Sequence, residues 1–393
     1  MKKLYLFALF LVIYEFTTYV ANDMIMPGML NVVKEFHAPV SNVSLSLTLY
    51  ILGNCCLQLF LGPLSERFGK RRVILAGSAF FFIMTIFIAL AQNIQSFMLA
   101  RFLQGAGLGF IAVGYCLIQE KFNDKTAVKT FALMGNISIL APLLGPLFGV
   151  AVLMHFSWRA IFVVIGLLAI IAFVGLFKFT PITPREKKSP NLPDSIKIYW
   201  KIASNRRFII GALSGGLGIL PAINWIALSP TIIMKNQTLT MMDYGVYQLI
   251  AISGLMLSNL LMQFIAGKFR FSHLIIVTSF ISWLGLALGW VFSFDLNTVA
   301  WGMFLFTFGS GIFNNLVIRL IMTTPDLPKN MVSSLMVFIQ SLILSIGIEV
   351  ATDLCKVYHY SLDSFANINF LLGCLLFVMV YIYARMHKNK QWD

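Results

Sequence analysis

Apolar stretches of about twenty residues follow one another along the whole chain, separated by short polar loops. They cover residues 4–30, 43–62, 73–92, 97–119, 128–154, 160–178, 208–233, 244–267, 273–293, 297–320, 332–355 and 366–384. About 20 residues, rising ~1.5 Å each, are what an α-helix needs to cross ~30 Å of hydrocarbon. The pattern predicts an all-α integral membrane protein with twelve transmembrane helices. A membrane β-barrel would instead show segments of about ten residues in strict alternation. Composition points the same way: 59% of the 393 residues are hydrophobic and 11% are charged, where a soluble domain carries about 25% charge.

Two acids, Glu15 and Asp23, interrupt the first apolar segment. A carboxylate at the centre of a bilayer costs at least about 2.5–3.5 kcal/mol, so both must face a cavity or other helices. Tyr19 lies midway between them and Asn22 beside Asp23. Residues spaced by four, seven and eight share one face of a helix, which makes Glu15, Tyr19, Asn22 and Asp23 a polar stripe. Such a stripe marks an ion or substrate pathway; the structural alternative is that the acids only pair with buried bases. Lys2 and Lys3 ahead of an apolar run mimic a signal peptide, but the two acids and the lack of a small-residue cleavage site make this a retained first helix.

The net charge of +14 changes the picture only through its placement. With the N-terminus and alternate loops assigned to the cytoplasm, 24 of the 29 Lys and Arg fall on that side. Lys34, Arg159, Lys235 and Lys356 fall outside, and Arg101 lies within a span. This is the positive-inside bias, with both termini cytoplasmic, and it leaves no basic face for nucleic acid. The five cysteines (Cys55, Cys56, Cys116, Cys355 and Cys374) lie in or at the edges of spans without a CxxC pair. No metal site and no disulfide framework is expected.

The longest polar stretch, Lys178 to Arg207, holds Pro181, Pro184, Pro190 and Pro193. It divides the chain into an N-terminal bundle of six spans (1–178), a cytoplasmic linker (179–207) and a C-terminal bundle of six (208–393). Within it, the segment Asp194–Lys201 reads either as a short helix on the membrane surface or as a solvated linker. The halves look like copies at an offset of 203 to 205 residues. Asn54, Gln58 and Gly62 match Asn259, Gln263 and Gly267; Phe102, Gly105 and Gly107 match Phe306, Gly309 and Gly311; Pro27 matches Pro230. Parallel repeats of six helices build one class of secondary transporter, with the substrate site between the halves near the midplane.

Between spans two and three stand Gly62, Glu66, Arg67, Gly69, Lys70, Arg71 and Arg72. The glycines allow a tight turn, and Glu66 can pair with the bases or cap a helix N-terminus. A generic basic loop is the plainer reading. In order and position this loop resembles the signature loop of the major facilitator superfamily, departing at Glu66, where the family usually has Asp. Span four opens with Leu99, Ala100, Arg101, Gln104 and Gly105, similar to the family's second motif with its buried arginine. Span five carries Pro142, Gly145, Pro146 and Gly149, which looks like the motif of the twelve-span drug:proton antiporters. Two prolines and two glycines permit a kinked helix and close packing at the interface between halves; a packing role alone is the alternative. The first span from Tyr14 to Leu30, with Ser229-Pro230 and Gly347-Ile348-Glu349 later on, closely resembles a multidrug transporter of that superfamily. The resemblance implies the major facilitator fold, export of lipophilic neutral and cationic drugs in exchange for protons, and roles for the two acids in recognising cations and protons. It also implies a bacterial inner-membrane protein driven by the proton gradient, with no cofactor.

Depth arithmetic does not depend on that resemblance. Asp23 lies about seven residues, ~10 Å, from the outer end of span one, and Arg101 about five residues, ~8 Å, below the same surface. The two can share a level, and Glu15 is two turns deeper. Burial penalises a charged carboxylate while a nearby arginine favours it, so a site that moves between those environments takes up and releases a proton. Asp23, Glu15 and Arg101 are the coupling candidates. Tyr19 and Asn22 offer hydrogen bonds to a neutral drug, and Met134 and Ser138 on span five with Ala222, Ile223 and Ile226 on span seven are candidate wall residues. Met and branched aliphatics adapt to varied shapes, though ordinary helix packing explains each wall residue equally well. Glu349, near the outer end of span eleven, can respond to protons, cap a helix or pair locally, and Asp353 reads as interfacial.

A proton-coupled symporter of a small metabolite is the nearest rival, and nothing in it calls for the Ala141–Gly149 segment. A membrane enzyme would need clustered His, Asp or Ser, an ATP-driven pump a Gly-rich phosphate loop, and a seven-helix receptor fewer spans. No oligomer signal rises above small-residue helix packing, so a monomer is expected.

Overall fold

The computed structural model describes residues 2–122, 124–182, 192–265, 269, 271–323 and 329–387. Every regular element among them is helical. The chain forms two compact units, Met1–Ile198 and Tyr199–Asp393.

In the first unit the helices are α1 (Lys2–Asp23), α2 (Met29–Glu35), α3 (Asn42–Gln58), α4 (Leu61–Phe68), α5 (Lys70–Ala89), α6 (Ile94–Gly109), α7 (Ile111–Lys121), α8 (Asp124–Leu153) and α9 (Trp158–Phe179). Helix α10 (Leu192–Ala203) crosses the boundary. The second unit continues with α11 (Arg206–Pro230), α12 (Met241–Ile265), α13 (Phe271–Val291), α14 (Leu296–Thr323), α15 (Lys329–Val357) and α16 (Leu362–His387). Each of the twelve segments predicted from hydropathy lies mainly on helix, with 266–267 outside the described residues. Among the described residues, ten stretches are long and apolar enough to cross a membrane, and the pair α3–α4 makes an eleventh when counted as one bent span. The fifth predicted span falls on α8, whose Leu140–Leu153 portion is a shorter apolar helix.

The internal repeat is visible in which helix touches which. In the first unit α3 packs on α6, α5 on α6 and α9, and α1 on α8 and α9. In the second, α12 packs on α14, α13 on α14 and α16, and α11 on α15 and α16. These are the same five pairings in the same order. Small residues permit the closest of them: a Cβ on Gly53 would lie 1.9 Å from the Phe102 carbonyl, and one on Gly254 would lie 2.3 Å from that of Phe304. Of the matched sequence positions, Gly267 lies outside the described residues, as does the side chain of Gln263.

Prolines break the helices where the sequence reads as continuous apolar span. Pro27 has no N–H to donate and crowds the preceding turn. The first span accordingly stops at Asp23, passes through a 3-10 turn at Met26–Gly28 and resumes as α2. Its repeat counterpart, Pro230, ends α11, and the chain continues as a π-helical turn, Thr231–Asn236. Pro63 stands four residues after Leu59, at the 53° bend between α3 and α4.

One expectation for the loop after α3 needs correction. Gly62 is not part of a turn; it lies inside α4 with open space around it. Gly69 alone makes the reversal, with φ of 90°, a conformation that side chains with a Cβ resist. Helix α5 starts at that glycine, which has no side chain to cap it. An ion pair joins Lys70 to Glu120 on α7, and Arg71 Nη2 donates to the Phe177 carbonyl at 2.9 Å. Arg67 sits over the Phe68 ring at 5.5 Å. Of the expected linker, residues 183–191, with Pro184 and Pro190, lie outside the described residues.

Candidate functional site

The site is built around Arg101, which α6 carries fully buried inside the first unit. A buried guanidinium is tolerated only when its donors are satisfied. Nε donates to Ser46 Oγ on α3 at 3.2 Å. Nη1 donates to the Ala21 carbonyl at 3.2 Å and to Gln104 Oε1 at 2.7 Å. Nη2 donates to Asn22 Oδ1 at 3.2 Å. The Tyr50 ring lies beneath the cation at 4.5 Å, an arrangement favoured by the negative face of the ring. Tyr50 is itself fixed by its hydroxyl, which donates to the Thr18 carbonyl at 2.7 Å. Gln104 Nε2 passes the network on to Thr85 Oγ1 at 2.8 Å, and Thr85 donates to the Phe81 carbonyl. Four helices (α1, α3, α5 and α6) are thereby joined through one charge.

Asp23 closes the network on its acidic side. Asn22 Nδ2 donates to Asp23 Oδ1 at 3.1 Å while Asn22 Oδ1 accepts from Arg101. The two charges therefore share a level, as the depth arithmetic requires, and communicate through the Asn22 amide. Asp23 is buried and is the last residue of α1, immediately before the break around Pro27. A carboxylate at the end of an interrupted helix has non-helical backbone next to it, and this is the local irregularity that membrane sites tolerate when it is enclosed by protein.

The proline–glycine motif of α8 rests on that break. A Cβ on Gly145 would lie 3.1 Å from Asp23 Cβ, and one on Gly149 would lie 2.0 Å from the Met24 carbonyl and 3.0 Å from Pro27 Cγ. Pro142 and Pro146 are both inside α8. The contacts of these two glycines are with the end of α1 and the break that follows it, within the first unit. They make room for the backbone that holds Asp23.

Glu15 meets a partner on a different helix. It is buried two turns further down α1, and the Tyr115 hydroxyl on α7 donates to its Oε1 at 2.9 Å. The four residues of the predicted stripe thus divide: Asn22 and Asp23 join Arg101, Glu15 joins Tyr115, and Tyr19 stands half-buried between them. Of the candidate wall residues, Met134 is buried on α8, and the side chain of Ser138 lies outside the described residues. Ala222 and Ile226 are buried and Ile223 is half-buried on α11, in the second unit. Glu349 is half-buried on α15 in the same unit, and Asp353 is exposed.

Sequence reasoning did not single out Ser46, Tyr50, Thr85 or Tyr115. Each is a polar residue inside an apolar span, and Ser46 and Tyr50, four apart, share a face of α3. That spacing was the available signal. Among the described residues there is no group of His, Cys, Asp or Glu able to hold a metal ion.

A buried arginine at the start of the fourth span, linked to an acid on the first, stands beside a glycine-bounded basic loop after the second. The sequence profile described as Major Facilitator Superfamily matches residues 11–352. The chain belongs to this superfamily. Members at the level of whole proteins include "Multidrug transporter MdfA" of Yersinia pestis, 39% identical over 98% of this chain and 95% of the relative. The protein of that name from Escherichia coli is 40% identical over 89% of this chain and 87% of its own length. That from Edwardsiella ictaluri is 39% identical over 99% and 95%. As a superfamily member with ten or eleven apolar spans among its described residues, the chain is a multi-pass membrane protein and a transporter.

Proposed function

We propose that this protein exports lipophilic neutral and cationic compounds across the bacterial inner membrane in exchange for protons. The name and near-complete coverage of its multidrug-transporter relatives support the substrate class. The observation that carries proton coupling is the buried Arg101–Asn22–Asp23 chain at the break in α1. Protonation of Asp23 removes the negative charge that balances a permanently cationic guanidinium through Asn22. Protonation and deprotonation of one carboxylate therefore change the forces on four helices that share Arg101. Alternating exposure of Asp23 to the two sides of the membrane lets drug arrival and proton loss be coupled on one side, and proton arrival and drug release on the other.

Glu15 is the second acid of this reading. It meets the cationic substrate, while Tyr19 and Asn22 offer hydrogen bonds to neutral ones. Met134, Ser138, Ala222, Ile223 and Ile226 contribute apolar surface. The excess of Lys and Arg in alternate loops supports cytoplasmic termini. The protein acts as a monomer, without a cofactor, on the proton gradient.

Asp23→Asn is the decisive variant. It keeps shape and hydrogen bonding but cannot ionise. Drug resistance of cells and drug-driven proton movement in vesicles should both be lost while the protein remains in the membrane. Full coupled activity in that variant overturns the reading. Arg101→Ala should impair coupling as well, and an unchanged pH dependence of transport would remove Arg101 from the mechanism.

A further inference from the structure

Three helices of the second unit bring two side-chain amides together over one glycine. A Cβ on Gly215 of α11 would lie 2.4 Å from Gln340 Nε2 on α15 and 3.5 Å from Asn314 Oδ1 on α14. One residue further along α11, a Cβ on Gly216 would lie 2.8 Å from Ile343 Cδ1. Gln340 and Ile343, three apart, share a face of α15. The packing of Ile343 on α11 therefore delivers the Gln340 amide to Gly215.

Helical rise puts the three residues at one level. Gly215 is nine residues, ~14 Å, from the start of α11, and Asn314 is nine residues, ~14 Å, from the end of α14. Gln340 is eleven residues, ~16 Å, from the start of α15. Successive spans alternate in direction, so these three ends lie on one side. In ~30 Å of hydrocarbon the shared level is close to the middle. Hydrogen-bonding groups at that depth are costly unless they are used. Gln340 is only 9% exposed, and among the described residues neither its Nε2 nor Asn314 Oδ1 meets a hydrogen-bond partner. Asn314 is half-buried, so the pair is not sealed within the unit. Within one turn of Gly215, Asn314 and Gln340, none of the three helices carries an ionisable residue. An uncharged donor and acceptor facing one point complement a neutral group that has both, an amide or a hydroxyl.

We propose that Gly215, Asn314 and Gln340 form a hydrogen-bonding subsite for neutral substrates that carry an amide or a hydroxyl. Gln340 Nε2 donates to the substrate oxygen, and Asn314 Oδ1 accepts from its N–H or O–H. Gly215 belongs to the subsite because a side chain there would fill the space between the two amides. The inference rests on the export reading and adds to it a determinant, in the second unit, that sorts neutral compounds by their donors.

The test measures binding of 1-naphthylacetamide and its N,N-dimethyl derivative to the full chain in detergent micelles, by equilibrium dialysis. The derivative keeps the carbonyl and has no N–H. The native chain should bind the parent amide about tenfold more tightly, the cost of leaving one buried acceptor unused. Asn314→Leu should bring the two affinities together. Gln340→Leu should weaken both compounds and keep their ratio. Gly215→Ala should do the same by displacing the Gln340 amide, and it keeps both polar side chains should a leucine variant fail to fold. Equal affinities in the native chain overturn the proposal, because the two amides then serve only bound water or each other. A ratio unchanged by Asn314→Leu overturns it too, as do affinities unchanged by Gln340→Leu and Gly215→Ala. Tetraphenylphosphonium, a cation without hydrogen-bonding groups, tests the transport reading separately. Proton release driven by that cation in the native chain, beside equal affinities for the two amides, removes the subsite and leaves export standing.

Discussion

Replacing Gly149 by alanine adds one methyl group at the point where α8 meets the break in α1. An ideal Cβ there would sit 2.0 Å from the Met24 carbonyl oxygen. Carbon and oxygen ordinarily approach no closer than about 3.3 Å, so one helix must retreat by roughly 1.3 Å. The obstacle is backbone on one side and the Pro27 ring on the other, neither of which can rotate away. Overpacking of this kind costs about 1–3 kcal/mol. It falls on the residue following Asp23, so the carboxylate is displaced with it. Gly145→Ala should be milder, since its new Cβ would meet Asp23 Cβ at 3.1 Å and a few tenths of an ångström of adjustment suffices. Gly135, on the same helix, has nothing within 4 Å; alanine there should be neutral or stabilising by up to about 1 kcal/mol through helix propensity. Thermal unfolding of the purified proteins and resistance of cells expressing them should both rank the variants Gly135→Ala, Gly145→Ala, Gly149→Ala, from intact to most impaired. Equal unfolding temperatures for Gly135→Ala and Gly149→Ala would refute the close approach.

Three further outcomes follow from the same contacts. Asn22→Leu removes the bridge between Arg101 and Asp23; a lost hydrogen bond to a charged group is worth about 1.5–3 kcal/mol, so thermal stability should fall and drug-stimulated proton release should weaken, and normal values of both would exclude the bridge. Tyr115→Phe deletes only the hydroxyl that donates to Glu15; cationic drugs should lose export relative to neutral ones, and an equal effect on both classes would separate Tyr115 from charge recognition. Asp295 stands before α14 and accepts from Thr298 Oγ1 and from the Thr298 and Asn297 amides. These bonds hold its carboxyl below the ordinary value of 3.8. A depressed value means the contribution is complete above about pH 4 and is lost as pH falls through the lowered value. Hydrogen exchange at the first turn of α14 should therefore quicken in acid, and Asp295→Asn should abolish that acid dependence.

The fold was legible because spans announce themselves by length: a run of twenty apolar residues has few structural alternatives. Breaks within spans were not. Pro27 and Pro230 occupy matching positions in the repeat, yet one yields a 3-10 turn and a new helix, the other a π-helical turn. Proline dictates that the regular hydrogen bonding fails and leaves its replacement to the surroundings. Within the site, Asp23, Asn22 and Arg101 could be placed at one level from helical rise alone. Asn22 as intermediary depended on side-chain reach, which sequence spacing does not encode. Ser46, Thr85 and Tyr115 come from helices whose rotation about their own axes is fixed only by packing. The glycines of α8 were correctly read as close-packing positions. Their partner, α1, was not readable, because a small residue records that something approaches and not what.

The two acids of the first span differ in what each can do when its proton is added or removed. Tyr115 is a neutral donor to Glu15, so a change of charge at Glu15 acts on a hydrogen bond between α1 and α7. Such an acid is suited to answering the charge of whatever enters beside it. Asp23 is connected, through one amide, to a cation whose other donors hold α1, α3 and α6 and, by way of Gln104, α5. Arg101 has no proton to give up under ordinary conditions, so a change at Asp23 must be absorbed by the geometry of that network. The glycines of α8 press the break in α1 against it from the other side, which leaves the Asp23 backbone little freedom to move independently of α8. Coupling a proton to a helix movement requires a titrating group that cannot relax alone. In this first unit Asp23 is held in that way, by Asn22 on one side and by the glycines of α8 on the other.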